Sequence, residues 1–166
     1  LLADRGVKLL VITQAEPGSG FTDLRRSSRA RWGIETLVIR EDAFAFLEVI
    51  RRLQEGATVA LLLDRPPKPS AVTVELFGRP FYASIAAAEL ARATGCALLG
   101  VCIVRTAQGY VAQLMPEFTY DRKELGDRPA RRQLTQHIMR AFEPWIRQHA
   151  DQWYHFVPIW PPADQS

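Results

Sequence analysis

The sequence predicts an α/β fold: a mixed, mostly parallel sheet flanked by helices, with an antiparallel hairpin. Three observations point there. Short apolar runs rich in β-branched residues alternate with helix-period segments as far as Leu63. That alternation implies right-handed crossovers between parallel strands. Further on, Thr106-Ala107-Gln108-Gly109 separates two more strand-like runs, the spacing of a hairpin with glycine in its turn.

Val7–Thr13 (VKLLVIT) is the first strand, and Gln14–Gly20, with Pro17, Gly18 and Gly20, is a loop. Thr22 can cap a helix running to about Trp32, and Gly33 can end it. Glu35–Ile39 is a second strand. Over Asp42–Glu55 the helical period puts Ala43, Phe46, Leu47, Ile50 and Leu53 on one face and Glu48, Arg51, Arg52 and Glu55 on the other. Gly56 follows as a C-terminal cap. Thr58–Leu63 is a continuously apolar strand, as a sheet covered on both faces requires.

Val72–Leu76 is a further extended run, closing in Phe77-Gly78-Arg79-Pro80. Ser84–Thr94 is an Ala-rich helix capped by Gly95, and Ala97–Arg105 and Tyr110–Met115 form the hairpin. Arg128–His149 is a long helix with Leu134, Ile138, Ala141, Phe142 and Trp145 inward and a kink or restart at Pro144. The tail Asp151–Pro162 carries Trp153, Tyr154, Phe156 and Trp160 and is expected to lie packed on the protein body or on a lipid surface.

A length of 166 residues suits one domain with a sizeable core, so a single domain over residues 1–166 is expected. No apolar run reaches the roughly 18 residues of a membrane-spanning helix, and no basic-then-apolar leader opens the chain. The sequence begins at Leu1 rather than Met and almost directly in a strand, which suggests an N-terminally truncated or processed piece. Cys96 and Cys102, placed by this reading in one strand, are too far apart to bridge and read as small buried hydrophobes. The net charge of +3 is mild, yet Arg25, Arg26, Arg29 and Arg31 sit close together. Such a cluster suits phosphate, an acidic carrier protein or an anionic membrane surface; a solvated helix face accounts equally well for Arg25 and Arg26.

Asp64 follows directly on a strand that reads as central. It can serve a ligand beyond the strand end or simply cap the loop before Arg65-Pro66. Leu24 and Arg31 are seven residues apart and share a helix face; with Leu24 toward the core, Arg31 points inward and Asp64 is a plausible partner, with Arg29 as its substitute. Glycine in Phe77-Gly78-Arg79-Pro80 allows a tight turn, the aromatic can wall an apolar slot, and Arg79 can bind an anion or stand in solvent. There is no P-loop, nucleophile elbow, dinucleotide fingerprint, metal-spaced His/Cys/Asp cluster or nucleic-acid motif. No cofactor, metal or nucleic-acid partner is expected.

The order of these features (Asp64, the Pro-rich loop, Phe77-Gly78-Arg79-Pro80, the ELARATG helix end at Glu89–Gly95 and the hairpin) resembles the C-terminal half of the lysophospholipid acyltransferase-like superfamily. The nearest likeness is to bacterial lipid A biosynthesis (lauroyl/myristoyl) acyltransferases, and it extends from the Val7 strand to Asp151-Gln152-Trp153. The resemblance implies a glycerol-3-phosphate acyltransferase-like fold, of which this chain is the C-terminal portion. It also implies transfer of a fatty acyl group from acyl-acyl carrier protein or acyl-CoA to a hydroxyl of a lipid A precursor or related glycolipid, at the cytoplasmic face of the bacterial inner membrane. Phosphatidylinositol mannoside or ornithine-lipid acceptors are alternatives, as is a non-catalytic lipid- or carrier-binding domain. An unrelated α/β scaffold is the remaining option.

By the same resemblance, Arg31 and Asp64 support catalysis, while Arg29, Phe77, Gly78, Arg79 and Ser84 belong to the substrate site. The superfamily's general base is a histidine with an acidic residue five positions later. His137, His149 and His155 are followed at that spacing by Phe142, Tyr154 and Trp160. The base is therefore missing from these residues, and the chain alone is expected to be inactive. Ser84, Ala86 and Ala87 stand where family members often carry proline and glycine, and Gly100 where they often carry proline, which bears on acyl-chain length.

Overall fold

The computed structural model describes residues 5–15, 20–39, 43–155 and 159–160. It is an α/β structure, and the chain divides into two units, Leu1–Leu62 and Leu63–Ser166.

In the first unit β1 (Leu9–Gln14), α1 (Phe21–Ala30), β2 (Glu35–Ile39), α2 (Ala43–Gln54) and β3 (Thr58–Ala60) alternate as expected. The three strands form a parallel sheet in the order β2-β1-β3, with Leu10 opposite Glu35 and Leu9 opposite Thr58. β3 pairs over Thr58–Ala60 only and stops short of Leu63. Leu10 and Val49 are the fully buried apolar residues described here. Phe46, Val49, Ile50 and Leu53 share the inner stripe of α2 at helical spacing. Leu47, expected on that stripe, lies about 100° round the helix from Phe46 and is exposed. On the opposite face Glu48 takes hydrogen bonds from Arg51 and Arg52, and Arg52 reaches Glu35 at 2.8 Å. These bonds hold the Glu48 carboxyl at about 2, below the usual carboxylate range.

The orientation of α1 corrects the sequence reading. The helix starts after Gly20, whose φ of 103° is open to glycine, and not at a Thr22 cap. None of its residues is buried, and Leu24 is 65% exposed. Arg29 is half-buried and Arg31, the C-cap residue, is exposed. The step from an inward Leu24 to an inward Arg31 therefore fails.

The second unit has β4 (Ala71–Leu76), β5 (Arg79–Ser84), α3 (Ala86–Thr94), β6 (Leu99–Thr106), β7 (Gly109–Glu117) and α4 (Arg128–Gln148). β5 was not expected, because Gly78 and Pro80 read as turn residues. It pairs antiparallel with β4, Leu76 opposite Arg79, and the link is Phe77-Gly78 alone. Both residues have positive φ, 54° and 74°, as a type I′ hairpin turn requires. Pro80, lacking an N–H, sits opposite Glu75. Ser84 ends this strand and does not begin the helix. Cys96 precedes β6 and Cys102 lies within it, so the two do not share a strand. Burial pushes the Cys102 thiol up.

Strict alternation buries Val72, Val74 and Leu76 from β4 and Phe81 and Ala83 from β5. They meet Ala88 and Ala91 of α3, Met115, Phe118, and Leu134, Ile138 and Met139 of α4 in one core. Each large apolar side chain buried there contributes about 1.5–3 kcal/mol. Small residues on α3 let the helix approach closely. Gly100 serves the same end: a Cβ placed there would lie 2.6 Å from Met115 Sδ and 3.2 Å from Phe118.

Helix α4 runs on through Pro144 and also closes the open edge of β4 with side chains. Gln136 accepts from the Glu75 N–H at 2.6 Å and donates to the Glu75 carbonyl at 2.8 Å. Arg132 donates to the Thr73 carbonyl at 2.6 Å, and Glu143 accepts from the Phe77 N–H at 2.9 Å. Spacings of four and seven residues place these three side chains along one helix face. Gln152 does the same for β6, accepting from the Arg105 N–H at 2.7 Å and donating to its carbonyl at 3.2 Å.

Candidate functional site

Asp64 sits in the bend that opens the second unit, between Leu63 and Arg65. The bend is pinned beside β5: the Ser84 N–H donates to the Leu63 carbonyl at 2.8 Å, and the Ile85 N–H to the Ser70 carbonyl at 2.9 Å. Its carboxylate is mostly covered, with 22% of the side chain exposed. A carboxylate so placed needs donors, and they come from the tail. Trp153 Nε1 donates to Asp64 Oδ2 at 2.9 Å, and His155 Nε2 lies 3.0 Å from the same oxygen. The next residue, Arg65, donates to the Tyr154 carbonyl. Asp64 and Arg65 thus hold three consecutive tail residues.

Beside this cluster is an open hollow of about 430 Å³. Asp64, Arg65 and His155 line one part of it, and Pro66, Phe81, Tyr82 and Ile159 make the rest apolar. That volume lies within the roughly 300–1,000 Å³ of small-molecule sites. Phe81 reaches both the hollow and the Trp153 ring, 6.4 Å between centroids, which ties the wall to the core. An apolar hollow with one carboxylate and one imidazole can seat a hydrophobic molecule and orient a hydroxyl beside it.

The other expected site residues are distributed differently. Phe77 and Gly78 lie at the β4–β5 turn, the far end of the hairpin from Ser84. Phe77 is half-buried with the Arg147 guanidinium 5.4 Å from its ring centre, and Gly78 borders a second hollow with Glu75, Arg132 and Gln136. Arg79 is exposed and lies 5.0 Å from the Trp160 ring centre. Ser84 is 3% exposed, its hydroxyl 3.2 Å from that of Ser70. Arg29 and Arg31 belong to the first unit.

The histidines have separate surroundings. His137 meets the Phe118 ring edge-on and His149 stacks on Trp145. Only His155 lines the Asp64 hollow, and the sequence reading set no weight on it.

Compared as a whole, residues 3–161 match the model of the bacterial lipid A biosynthesis acyltransferase family. The chain belongs to that family. No curated protein matches it. Membership in the lipid A biosynthesis acyltransferases makes this an acyltransferase sequence, in agreement with the resemblance drawn from Asp64 to Glu117. Among the described residues of this lipid A acyltransferase chain, no helix is long and apolar enough to cross a membrane and no group of acidic, His and Cys side chains could hold a metal ion.

Proposed function

We propose that this chain serves to move a fatty acyl group from a thioester, on acyl carrier protein or coenzyme A, to a hydroxyl of a lipid A precursor or related glycolipid at the cytoplasmic face of the inner membrane. Family membership supports acyl transfer. One observation carries the assignment of a site: the Asp64 carboxylate, fixed through Oδ2 by two tail residues, on the wall of an otherwise largely apolar hollow.

In the reaction the acceptor oxygen attacks the thioester carbonyl, the C–O bond forms, the C–S bond breaks, and the hydroxyl proton passes through a general base to the departing thiolate. Asp64 accepts a hydrogen bond from the acceptor and orients it. The general base is a histidine followed five residues later by an acid, which these residues lack, so they alone do not turn over. The arginines of α1 and its C-cap suit the acidic donor protein or an anionic lipid surface: Arg25, Arg26 and Arg31 are exposed, Arg29 is half-buried, and Asp23 is the one acid of the helix.

The test is Asp64→Ala in the intact protein that carries this sequence, with acyl-acyl carrier protein and a lipid A precursor as substrates. Turnover should fall by about tenfold or more with the thermal midpoint little changed. Near-normal turnover would remove Asp64 from the site.

A further inference from the structure

We propose that Trp153 and His155 are positioning residues for Asp64, and that they leave its second oxygen, Oδ1, to accept a hydrogen bond from a hydroxyl of the acyl acceptor. The inference rests on the reading of Asp64 given above and deepens it.

A carboxylate only accepts, so in this arrangement His155 Nε2 carries a proton, as Trp153 Nε1 always does. Both N–H groups converge on Oδ2, at 2.9 and 3.0 Å. Oδ1 has no hydrogen-bond partner among the described residues. One oxygen is saturated from the tail side, and the other remains for a ligand in the hollow that Asp64 lines.

The donors are themselves held. The Trp153 and His155 rings meet edge to face with centroids 4.5 Å apart, and Trp153 also leans on Phe81. Between them Tyr154 is tied by its carbonyl to Arg65, and just ahead Gln152 is tied to both backbone groups of Arg105. Every residue from Gln152 to His155 is thus fixed to the body of the unit. A single contact would anchor a tail. Two ring donors on one carboxylate oxygen, each braced by a neighbour, fix the direction of the carboxylate as well. The chemistry also selects the ligand: a carboxylate oxygen accepts from a neutral hydroxyl and repels a phosphate. Asp64 would therefore face a sugar or glycerol hydroxyl, with any phosphate of the acceptor held elsewhere.

The test uses the intact protein with a lipid A precursor as acceptor and acyl-acyl carrier protein as donor. Trp153→Phe keeps an aromatic ring, though a smaller one, and deletes the N–H. His155→Leu deletes the second donor, while His155→Gln offers an amide N–H at nearly the same reach. Trp153→Phe and His155→Leu should each raise the acceptor KM or lower kcat by about tenfold with the donor KM unchanged, because a misaimed orienting group costs rate without changing a remote binding site. His155→Gln should recover most of the loss. If both deletions leave acceptor kinetics unchanged while Asp64→Ala is impaired, the tail merely anchors itself and the positioning proposal is overturned. Failure of His155→Gln to rescue a stably folded protein would remove His155 from the role. If Asp64→Ala itself is normal, the functional reading fails first. Should His155→Leu not fold, Trp153→Phe and His155→Gln still decide the matter.

Discussion

Gln136 of α4 engages both backbone groups of Glu75 in β4, accepting from the N–H at 2.6 Å and donating to the carbonyl at 2.8 Å. Its amide occupies the place a neighbouring strand's peptide would take. An open strand edge invites pairing with another chain, and here α4 blocks it with Arg132, Gln136 and Glu143 instead of a strand.

Gln136→Ala should therefore have two effects. Losing the pair of hydrogen bonds should cost about 1–2 kcal/mol, read as a lower urea midpoint. The uncovered edge should also raise concentration-dependent light scattering well below the unfolding midpoint. A variant with unchanged midpoint and no added scattering would show that water replaces the glutamine without loss.

Gly78→Ala tests the β4–β5 turn. With φ at 74°, an L side chain there costs about 1–2 kcal/mol even though a Cβ would meet no atom within 4 Å. Gly78→Asn should cost less, since Asn tolerates this conformation. Thermal unfolding of the two variants gives the order directly, and equal midpoints for wild type and Gly78→Ala would contradict a type I′ turn.

Gly100→Ala probes a close approach instead of a dihedral angle. The added methyl would press on Met115 Sδ at 2.6 Å and on Phe118 at 3.2 Å, so overpacking should cost about 1–3 kcal/mol. In a Met115→Ala background the same change should cost much less, and a double-mutant cycle measures the difference. Full additivity would mean that the methionine is not the obstacle.

Acid sensitivity of α2 follows from Glu48. Its carboxyl is held down to about 2 by hydrogen bonds from Arg51 and Arg52. A depressed carboxylate stabilises the folded state fully above its unfolded value near 4.5, and the contribution fades as pH falls toward 2. A 13C titration of the Glu48 carboxyl should therefore show a midpoint near 2. Glu48→Gln should flatten the loss of first-unit stability between pH 4.5 and 2. A midpoint near 4.5 would show that the guanidinium bonds do not persist in water.

What the sequence made legible follows from how local each signal is. The β6–β7 hairpin was readable because Gly109, at φ 123°, marks its turn within a few residues. The inner face of α4 was readable because Leu134 and Ile138 repeat at helical spacing. β5 was missed because Gly78 and Pro80, both turn-like in isolation, here link and occupy strands. The orientation of α1 was misread because spacing puts Leu24 and Arg31 on one face without saying which face is covered. Asp64 stood out through the apolar run before it. Its partners could not, being 89 and 91 residues away. Asn or Gln can satisfy a carboxylate as well as His or Trp, so composition holds no trace of the pairing.

That separation has a consequence for biosynthesis. Asp64 leaves the ribosome 89 residues ahead of Trp153. At roughly 5–20 residues per second the carboxylate waits several seconds for its donors. The β4–β5 hairpin, whose strands end at Ser84, can pair in the interval, but the wall of the hollow made by His155 and Ile159 cannot form. A chain stopped short of Trp153 therefore carries the Asp64 carboxylate without either of its two ring donors.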